Sequence, residues 1–340
     1  MQEKVIEVAT PATLHEDEHH IFNECVELSL SQDCILTRRL IRSDGASFSQ
    51  IVAIDSVDVL SDFVTADPYE TRLQESYDRI RQKCVAATEG DRPRQVETGD
   101  PVRLIGELSM CATEGALLSK VRTIIAGMGG MQFIYQWIRF DGATPATGDP
   151  VETRYLVGCR PGWTQQYIAR LWYMNDPCVM YARTNVAPAL MSHVNVHRVD
   201  HWLVTEARMH GFASGIVVPA HIHGHGLVGL LHVSNSVRAP AGEGVLWDNR
   251  VLFRAMSSEL LDWRVSQVRQ NALAKYELSE QETQILRMLR DGASASHVAD
   301  QLGMSKHTVY KTIYQRITRK TGATRITDAV EKAAAHGLLD

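Results

Sequence analysis

No uncharged apolar run in the 340-residue sequence approaches the roughly 20 residues that a membrane-spanning helix needs. The first residues, MQEKVIEVAT, show no basic and then apolar leader. A soluble, cytoplasmic chain without membrane contact is therefore expected. Cysteine is sparse. The six residues Cys25, Cys34, Cys84, Cys111, Cys159 and Cys178 are scattered without a C-x-x-C pair, which argues against a disulfide frame or a zinc finger and for reduced thiols. With 44% hydrophobic residues, 22% charged residues and a mean hydropathy of -0.17, the chain is neither disordered nor collagen-like and can bury a sizeable core. At roughly 100–200 residues per domain, two or three domains are expected.

The net charge of -5 hides an asymmetry. Residues 1–110 carry 11 basic against 21 acidic side chains, residues 111–276 carry 15 against 11, and residues 277–340 carry 9 against 8. Within the last stretch, Ser305 to Lys320 holds Lys306, Lys311, Arg316, Arg319 and Lys320 and no acid. That basic stripe, and not the overall balance, is the nucleic-acid signal.

From Leu278 the sequence is a succession of short helical patterns separated by Gly292, Gly303 and Gly322, and four helices fit. Ser279 and Glu282 form an S-x-x-E capping box ahead of Ile285, Leu286 and Leu289. A second helix buries Val298 and Leu302. Gly303 then turns the chain, Ser305 caps a third helix, and that helix continues to about Arg319. On it Val309, Ile313 and Ile317 share one stripe, and His307, Tyr310, Lys311 and Tyr314 share the opposite one. A helix about 10–12 Å wide fits the major groove, where such side chains reach phosphates and base edges. An ordinary solvated amphipathic helix would give the same spacing.

The whole pattern decides between the two. LSEQE, G-A-S-x-x-x-V-A-x-x-L over Gly292–Leu302, S-x-x-T-V over Ser305–Val309 and K-x-G-A-x-R-x-x-x-A-V over Lys320–Val330 resemble the LuxR/FixJ-type helix-turn-helix. The resemblance implies a transcription regulator whose third helix reads double-stranded DNA and whose last helix, about Ile326–Ala335, supports a homodimer, with RNA polymerase as a further partner. Lys306 and Lys311 are the phosphate candidates, His307, Tyr310 and Tyr314 the candidates for base contacts, and Thr308 a further DNA-binding candidate. Thr312 departs from the pattern, because many members carry His there.

Residues 111–276 alternate helix and strand patterns in the order of an α-β-α sandwich, with strands expected at Met131–Phe140, Glu152–Val157, Gly215–Ala220 and Leu227–Ser234. Trp163 and Tyr167 are four apart, hence on one helix face, and Asp176 precedes Pro177 where a helix must break. Such an aromatic wall with one acid suits a small-molecule pocket, in which an indole N–H donates and a carboxylate accepts. Ordinary core packing with Asp176 as a cap would also fit. The elements P-x-W-x-x-x-Y, Asp176-Pro177, Pro188 and HGFASGIVVP (His210–Pro219) resemble the autoinducer-binding domain of LuxR-type quorum-sensing receptors over roughly residues 112–265. The resemblance implies an acyl-homoserine lactone or analogue whose lactone carbonyl takes a hydrogen bond from Trp163, whose amide N–H is accepted by Asp176 and whose acyl side meets Tyr167. Met191, Cys159 and Leu231 complete the implied lining, and Gly215 is structural. Met191 and Cys159 stand where the family usually has aromatic residues, so the cognate ligand departs from the usual one. Methionine adapts to an unusual or non-lactone signal.

His221, His223 and His225 alternate in H-I-H-G-H, as metal ligands on one strand face would, but no acid or cysteine sits at a matching spacing. A polar loop is the preferred reading, with no metal and no cofactor. A metal-dependent enzyme with a DNA-binding tail is the competing class; no nucleophile or general-base constellation supports it, so a non-enzyme is expected. The helix from about Trp247 to Gln270 carries Phe253, Met256, Leu260 and Trp263 on a core stripe. In residues 1–110, a helix over Asp67–Ala87 with Leu73, Tyr77, Ile80 and Cys84 on one face, a strand over Phe48–Ile54 and a linker over Glu89–Pro101 are legible.

The expected fold class is α+β: an α-β-α sandwich ligand-binding domain (111–270), a linker (271–276) and an all-α four-helix helix-turn-helix domain (277–340), preceded by an acidic N-terminal extension (1–110) of uncertain fold. The expected function is that of a ligand-responsive bacterial transcription factor binding a pseudo-palindromic site as a dimer. The alternatives are a solo receptor for a non-lactone signal, and a regulator switched by a protein partner through the extension.

Overall fold

The computed structural model describes residues 3–6, 24–88, 99–141, 145, 148–194, 201–222, 226–335 and 338–339. The chain forms two compact units, Met1–Leu261 and Asp262–Asp340. Among the described residues no helix is long and apolar enough to cross a membrane.

The first unit is built on a sheet of β1 (Glu3–Ile6), β2 (Glu24–Leu30), β3 (Ile35–Arg42), β4 (Ser47–Ala53), β5 (Gln132–Phe140), β6 (Pro150–Val157), β7 (Ala189–Leu190), β8 (Ser214–His221) and β9 (Leu227–Asn235). Their order is β1-β2-β3-β4-β6-β5-β9-β8-β7. Every pairing is antiparallel except β4 with β6, which is parallel. Around the sheet lie α1 (Val57–Thr65), α2 (Glu70–Thr88), α3 (Pro101–Gly106), α4 (Glu114–Gly127), α5 (Pro161–Ala169), α6 (Pro177–Thr184), α7 (Met191–Val194), α8 (His201–Met209), α9 (Ala241–Asp248) and, up to Leu261, the start of α10 (Arg250–Tyr276).

The four strands expected in the middle segment form as β5, β6, β8 and β9. Alternation along them sends successive side chains to opposite faces. On one face Tyr135 donates to the Ser257 carbonyl at 2.6 Å and the Trp137 indole N–H to the Leu260 carbonyl at 2.9 Å, which fixes the sheet to α10. On the other face Phe48, Val52, Ile134, Tyr155 and Val157 share a core with Leu60, Phe63, Leu73, Tyr77 and Ile80 and with Trp163, Tyr167 and Phe212.

The N-terminal segment therefore folds as part of the sheet that carries the middle segment, and the charge step near residue 110 falls inside one unit. Its β4 matches the expected strand at 48–54. β2, β3 and α1 were not legible, and the reason lies in β3, whose ILTRRLIR buries both Arg38 and Arg42. The Arg38 Nε and Nη2 donate to the two Asp67 carboxylate oxygens at 2.8 and 2.9 Å. Asp67 Oδ1 also accepts the Tyr69 backbone N–H, so the residue ahead of α2 anchors a buried ion pair as well. Most of the linker expected at 89–101, residues 89–98, lies outside the described residues.

The second unit contains α11 (Glu280–Arg290), α12 (Ala295–Gln301), α13 (Lys306–Thr308) continued by a π-helical turn (Val309–Tyr314) and α14 (Gln315–Thr321), and α15 (Ile326–Ala335). Gly303 at φ 61° and Gly322 at φ 60° occupy the left-handed conformation that ends their helices. The Ser279–Glu282 capping box forms in both directions, at 3.2 and 2.8 Å. The Glu282 carboxylate is buried and takes Arg316 at 2.5 Å and Lys320 at 2.7 Å. Burial opposes its charge, but these partners prevail and hold its pKa at about 2. Residues 271–276, expected as a linker, are instead the last turns of α10; ALAKY has neither Gly nor Pro to stop a helix, and Ala272 and Tyr276 are buried in this unit's core.

Candidate ligand chamber and nucleic-acid interface

In the first unit, Pro161 opens α5 at a position where its missing N–H costs nothing. Its N-cap Arg160 supplies no side-chain bond, and the Gly162 N–H is taken instead by Asp62 of α1 at 2.8 Å. Trp163 and Tyr167 follow on the buried side. A short turn, Trp172–Met174, leads to Asp176, which caps α6 by accepting the Cys178 N–H at 2.7 Å. In that turn, Arg42 of β3 donates to the Tyr173 hydroxyl at 2.7 Å. The segment from Trp163 to Asp176 is thus gripped near both ends by side chains from the first 110 residues.

Trp163, Tyr167, Asp176 and Met191 line one chamber, together with Ile134, Gln136, Tyr155, Pro177, Cys178, Leu203, Ala207, Phe212 and His232. The free space is about 40 Å³, of the order of one or two water molecules. A signal of many heavy atoms has to displace wall side chains to enter. The Tyr167 hydroxyl donates to Asp176 at 2.6 Å. Burial raises the Asp176 pKa above the ordinary carboxylate range, against the bonds from Tyr167 and Cys178, which lower it. The Trp163 ring lies 5.3 Å from Trp172, 5.1 Å from His210 and 6.0 Å from Phe212, an aromatic wall rather than a lone indole.

Two of the residues expected in the lining are elsewhere. Leu231 pairs with Tyr135 and shares its face of the sheet, the one packed on α10, so alternation puts its neighbour His232 in the chamber instead. The Cys159 thiol contacts the Arg160 carbonyl and Thr164 at the start of α5 and does not line the chamber. Gly215 has the close approach expected of it. A Cβ there would come within 2.8 Å of both His232 Nε2 and Met191 Cγ.

Gln136, Tyr155, Phe212 and His232 were missed. The β-strand pattern contained the signal for three of them, because the pocket-facing alternate positions of β5, β6 and β9 carry polar groups where apolar ones would pack. Burial alone lowers the His232 pKa to about 4, so the ring is neutral, and its Nε2 has no hydrogen-bond partner. A depressed histidine pKa supports stability above about pH 6.5, the unfolded value, and that support drains as pH falls toward 4. A melting series over that range is expected to show the loss, and His232→Leu to flatten it. His221 Nε2 lies 3.1 Å from the Asn185 carbonyl oxygen, while His223 and His225 are outside the described residues.

In the second unit Lys306, His307, Tyr310 and Lys311 are exposed, and Thr308 is half-buried with its hydroxyl 2.9 Å from that of Ser305. Tyr314 is set further inward. It is 6% exposed and packs with Val309, Ile313 and Ile317. Its ring centroid lies 5.3 Å from that of the exposed Tyr310, so Tyr314 borders the basic face from its buried side. Of the basic stripe, Arg316 and Lys320 turn to Glu282 and serve the fold. Tyr314→Phe is expected to leave operator affinity within about twofold, whereas Tyr310→Ala weakens it by about tenfold, the size of one base contact (about 1–3 kcal/mol). Paired gel-shift titrations check both.

Comparison with known proteins adds identity to this geometry. The autoinducer binding domain model matches residues 113–263, and the model for bacterial regulatory proteins of the luxR family matches residues 276–333. The chain is 24% identical over 236 residues to the transcriptional activator protein AhyR of Aeromonas hydrophila, covering 67% of this chain and 87% of that one. It is 26% identical over 193 residues to the transcriptional activator protein PhzR of Pseudomonas fluorescens, covering 54% and 75%. In fold it is similar to SdiA of Escherichia coli, with a TM-score of 0.52 at 17% identity over 71% of this chain and 98% of that one. A structure of SdiA in complex with octanoyl-rac-glycerol gives a TM-score of 0.50 at 16% identity over 70% and 95%. Residues 1–112 precede both matched ranges.

Proposed function

We propose, for a chain that belongs to the LuxR-type transcriptional regulators by its autoinducer-binding and luxR-family domains, that it senses an acyl-homoserine lactone or related signal in the α5–α6 chamber and binds a pseudo-palindromic promoter site as a homodimer. The observation that carries the reading is the meeting of Trp163, Tyr167 and Asp176 on one chamber. In this proposal Trp163 donates to the lactone carbonyl, Asp176 accepts the amide N–H, and Tyr167 and Met191 border the acyl chain. Binding to the folded, dimer-competent state alone stabilises that state by RT ln(1 + [L]/Kd), so DNA occupancy follows the signal. The small free volume supports such coupling, because the wall has to rearrange on binding. The N-terminal layer holds that wall through Asp62 and Arg42, which favours a place in the sensor for it over a separate partner-binding arm.

Mass spectrometry of small molecules that copurify with the full chain from its native host tests the first half. Recovery of no signal, together with no stabilisation by acyl-homoserine lactones, removes it. For the second half, Lys306 and Lys311 neutralise phosphates. Each single alanine variant is expected to weaken all DNA sequences alike and to lower the slope of log K against log salt by about 1. Titrations at several salt concentrations decide this, and an unchanged slope removes the assignment.

A further inference from the structure

Across the buried face of the sheet, Gln136 of β5 is in register with Tyr155 of β6, and Tyr155 with Gln50 of β4. Residues directly opposite across a ladder share a face, and strands lie about 4.8 Å apart, so the row runs about 10 Å from the chamber into the N-terminal layer. Gln136 and Tyr155 line the chamber. Gln50 is the next position outward, flanked along β4 by Phe48 and Val52, which pack into the core that holds Trp163 and Tyr167. Gln50 is 0% exposed and Gln136 is 5% exposed. Neither Nε2 nor Oε1 of Gln50 has a hydrogen-bond partner, and neither does Oε1 of Gln136 or the hydroxyl of Tyr155 between them. The neighbour on the far side, Arg38, is committed to Asp67 and does not serve Gln50.

Buried polar atoms without partners are costly, and leucine would fill these positions without that cost. A row of them leading out of a ligand chamber is what a ligand with polar substituents requires. Of the four atoms two are acceptors, one is a donor and the Tyr155 hydroxyl is both. The group they fit must donate as well as accept, as a hydroxyl does and as a plain methylene chain or a lone carbonyl does not. We propose that the chamber extends along this row under the N-terminal layer, and that its ligand carries, besides the amide taken by Asp176, a hydroxyl held along the row of Gln136, Tyr155 and Gln50. The inference rests on the signal-binding reading above and deepens it. It makes Gln50, from outside the region matched to the autoinducer binding domain, a specificity-determining residue.

The test uses the full chain and three octanoyl-homoserine lactones: one with a plain chain, one hydroxylated beside the amide carbonyl and one hydroxylated at the far end. Affinities are read by calorimetry, with melting of each protein alone as a folding control. Wild type is expected to bind one of the hydroxylated probes about tenfold more tightly than the plain one. Gln50→Leu and Gln136→Leu are each expected to fold and to lose the preference, and Gln50→Leu to bind the plain chain at least as well as wild type. If Gln50→Leu does not fold, Gln50→Met carries the same comparison. A preference that survives in both variants overturns the proposal. So does equal binding of all three probes by wild type, the outcome when the row holds ordered water only. Binding of none of the probes by wild type overturns the acyl-lactone reading itself, and with it this choice of ligand.

Discussion

Arg38→Leu is expected to destabilise the first unit by about 3–5 kcal/mol, the usual cost of removing one partner from a buried ion pair. The side chains of Arg38 and Asp67 are 2% and 0% exposed. Burial pulls the Arg38 pKa down, yet the adjacent Asp67 charge outweighs it and leaves the guanidinium above its ordinary value. Without Arg38, the Asp67 carboxylate stays in the core with only the Tyr69 N–H and the Tyr77 hydroxyl as donors. Tyr77 stays protonated and keeps donating, because burial and then Asp67 push its own pKa far up. The melting temperature is expected to fall by on the order of 10 °C, at roughly 2–4 °C per kcal/mol for a unit of this size. Because the Arg38 region shares one core with Trp163 and Tyr167, the ligand response should weaken along with the fold. In a double-mutant cycle, Arg38→Leu with Asp67→Leu is expected to cost less than the two single changes added. A loss under about 1 kcal/mol for Arg38→Leu alone would show the pair to be dispensable, and would separate the N-terminal layer energetically from the chamber.

This pair also explains why the N-terminal layer was hard to anticipate. Periodicity reports a strand when apolar and polar positions alternate, and β3 breaks that rule by burying two arginines, each matched by a partner distant in sequence. Asp67 lies 29 residues from Arg38, and Tyr173 lies 131 residues from Arg42. No local window contains either pairing. The helix-turn-helix was legible almost in full because its determinants are local: the Ser279–Glu282 box, the Ser305 cap and the left-handed Gly303 and Gly322. Its one misplaced residue is Tyr314, which stands beside Tyr310 but turns its side chain into the core, a choice that packing and not spacing makes. In the chamber, the local motif Trp163–Tyr167–Asp176 was legible. Leu231 was placed on the wrong side because the face of a strand depends on a register that only the folded sheet supplies.

Asp176→Asn is expected to raise the signal concentration needed for half-maximal response by about 10–100-fold while specific DNA binding by the second unit persists. A hydrogen bond to a charged group is worth about 1.5–3 kcal/mol, and each 1.4 kcal/mol is a factor of ten. Asparagine preserves the size of the side chain but offers one carbonyl oxygen where aspartate offers two. The Cys178 N–H and the Tyr167 hydroxyl, which occupy the two carboxylate oxygens, cannot both keep their acceptors, and the ligand amide loses the charge it would face. Asp176→Ala removes in addition the cap of α6, at about 1 kcal/mol, so the asparagine variant is the cleaner measurement. The pH dependence separates a binding role from a purely structural one. Burial raises the Asp176 pKa; if the ionised form accepts the ligand amide, affinity is full well above that value and falls as pH drops through it, in a window starting above the ordinary carboxylate range. The slope should vanish in Asp176→Asn. A dose response that neither shifts nor loses its pH slope in that variant would mean that the carboxylate only caps α6 and receives Tyr167, with the signal bound elsewhere.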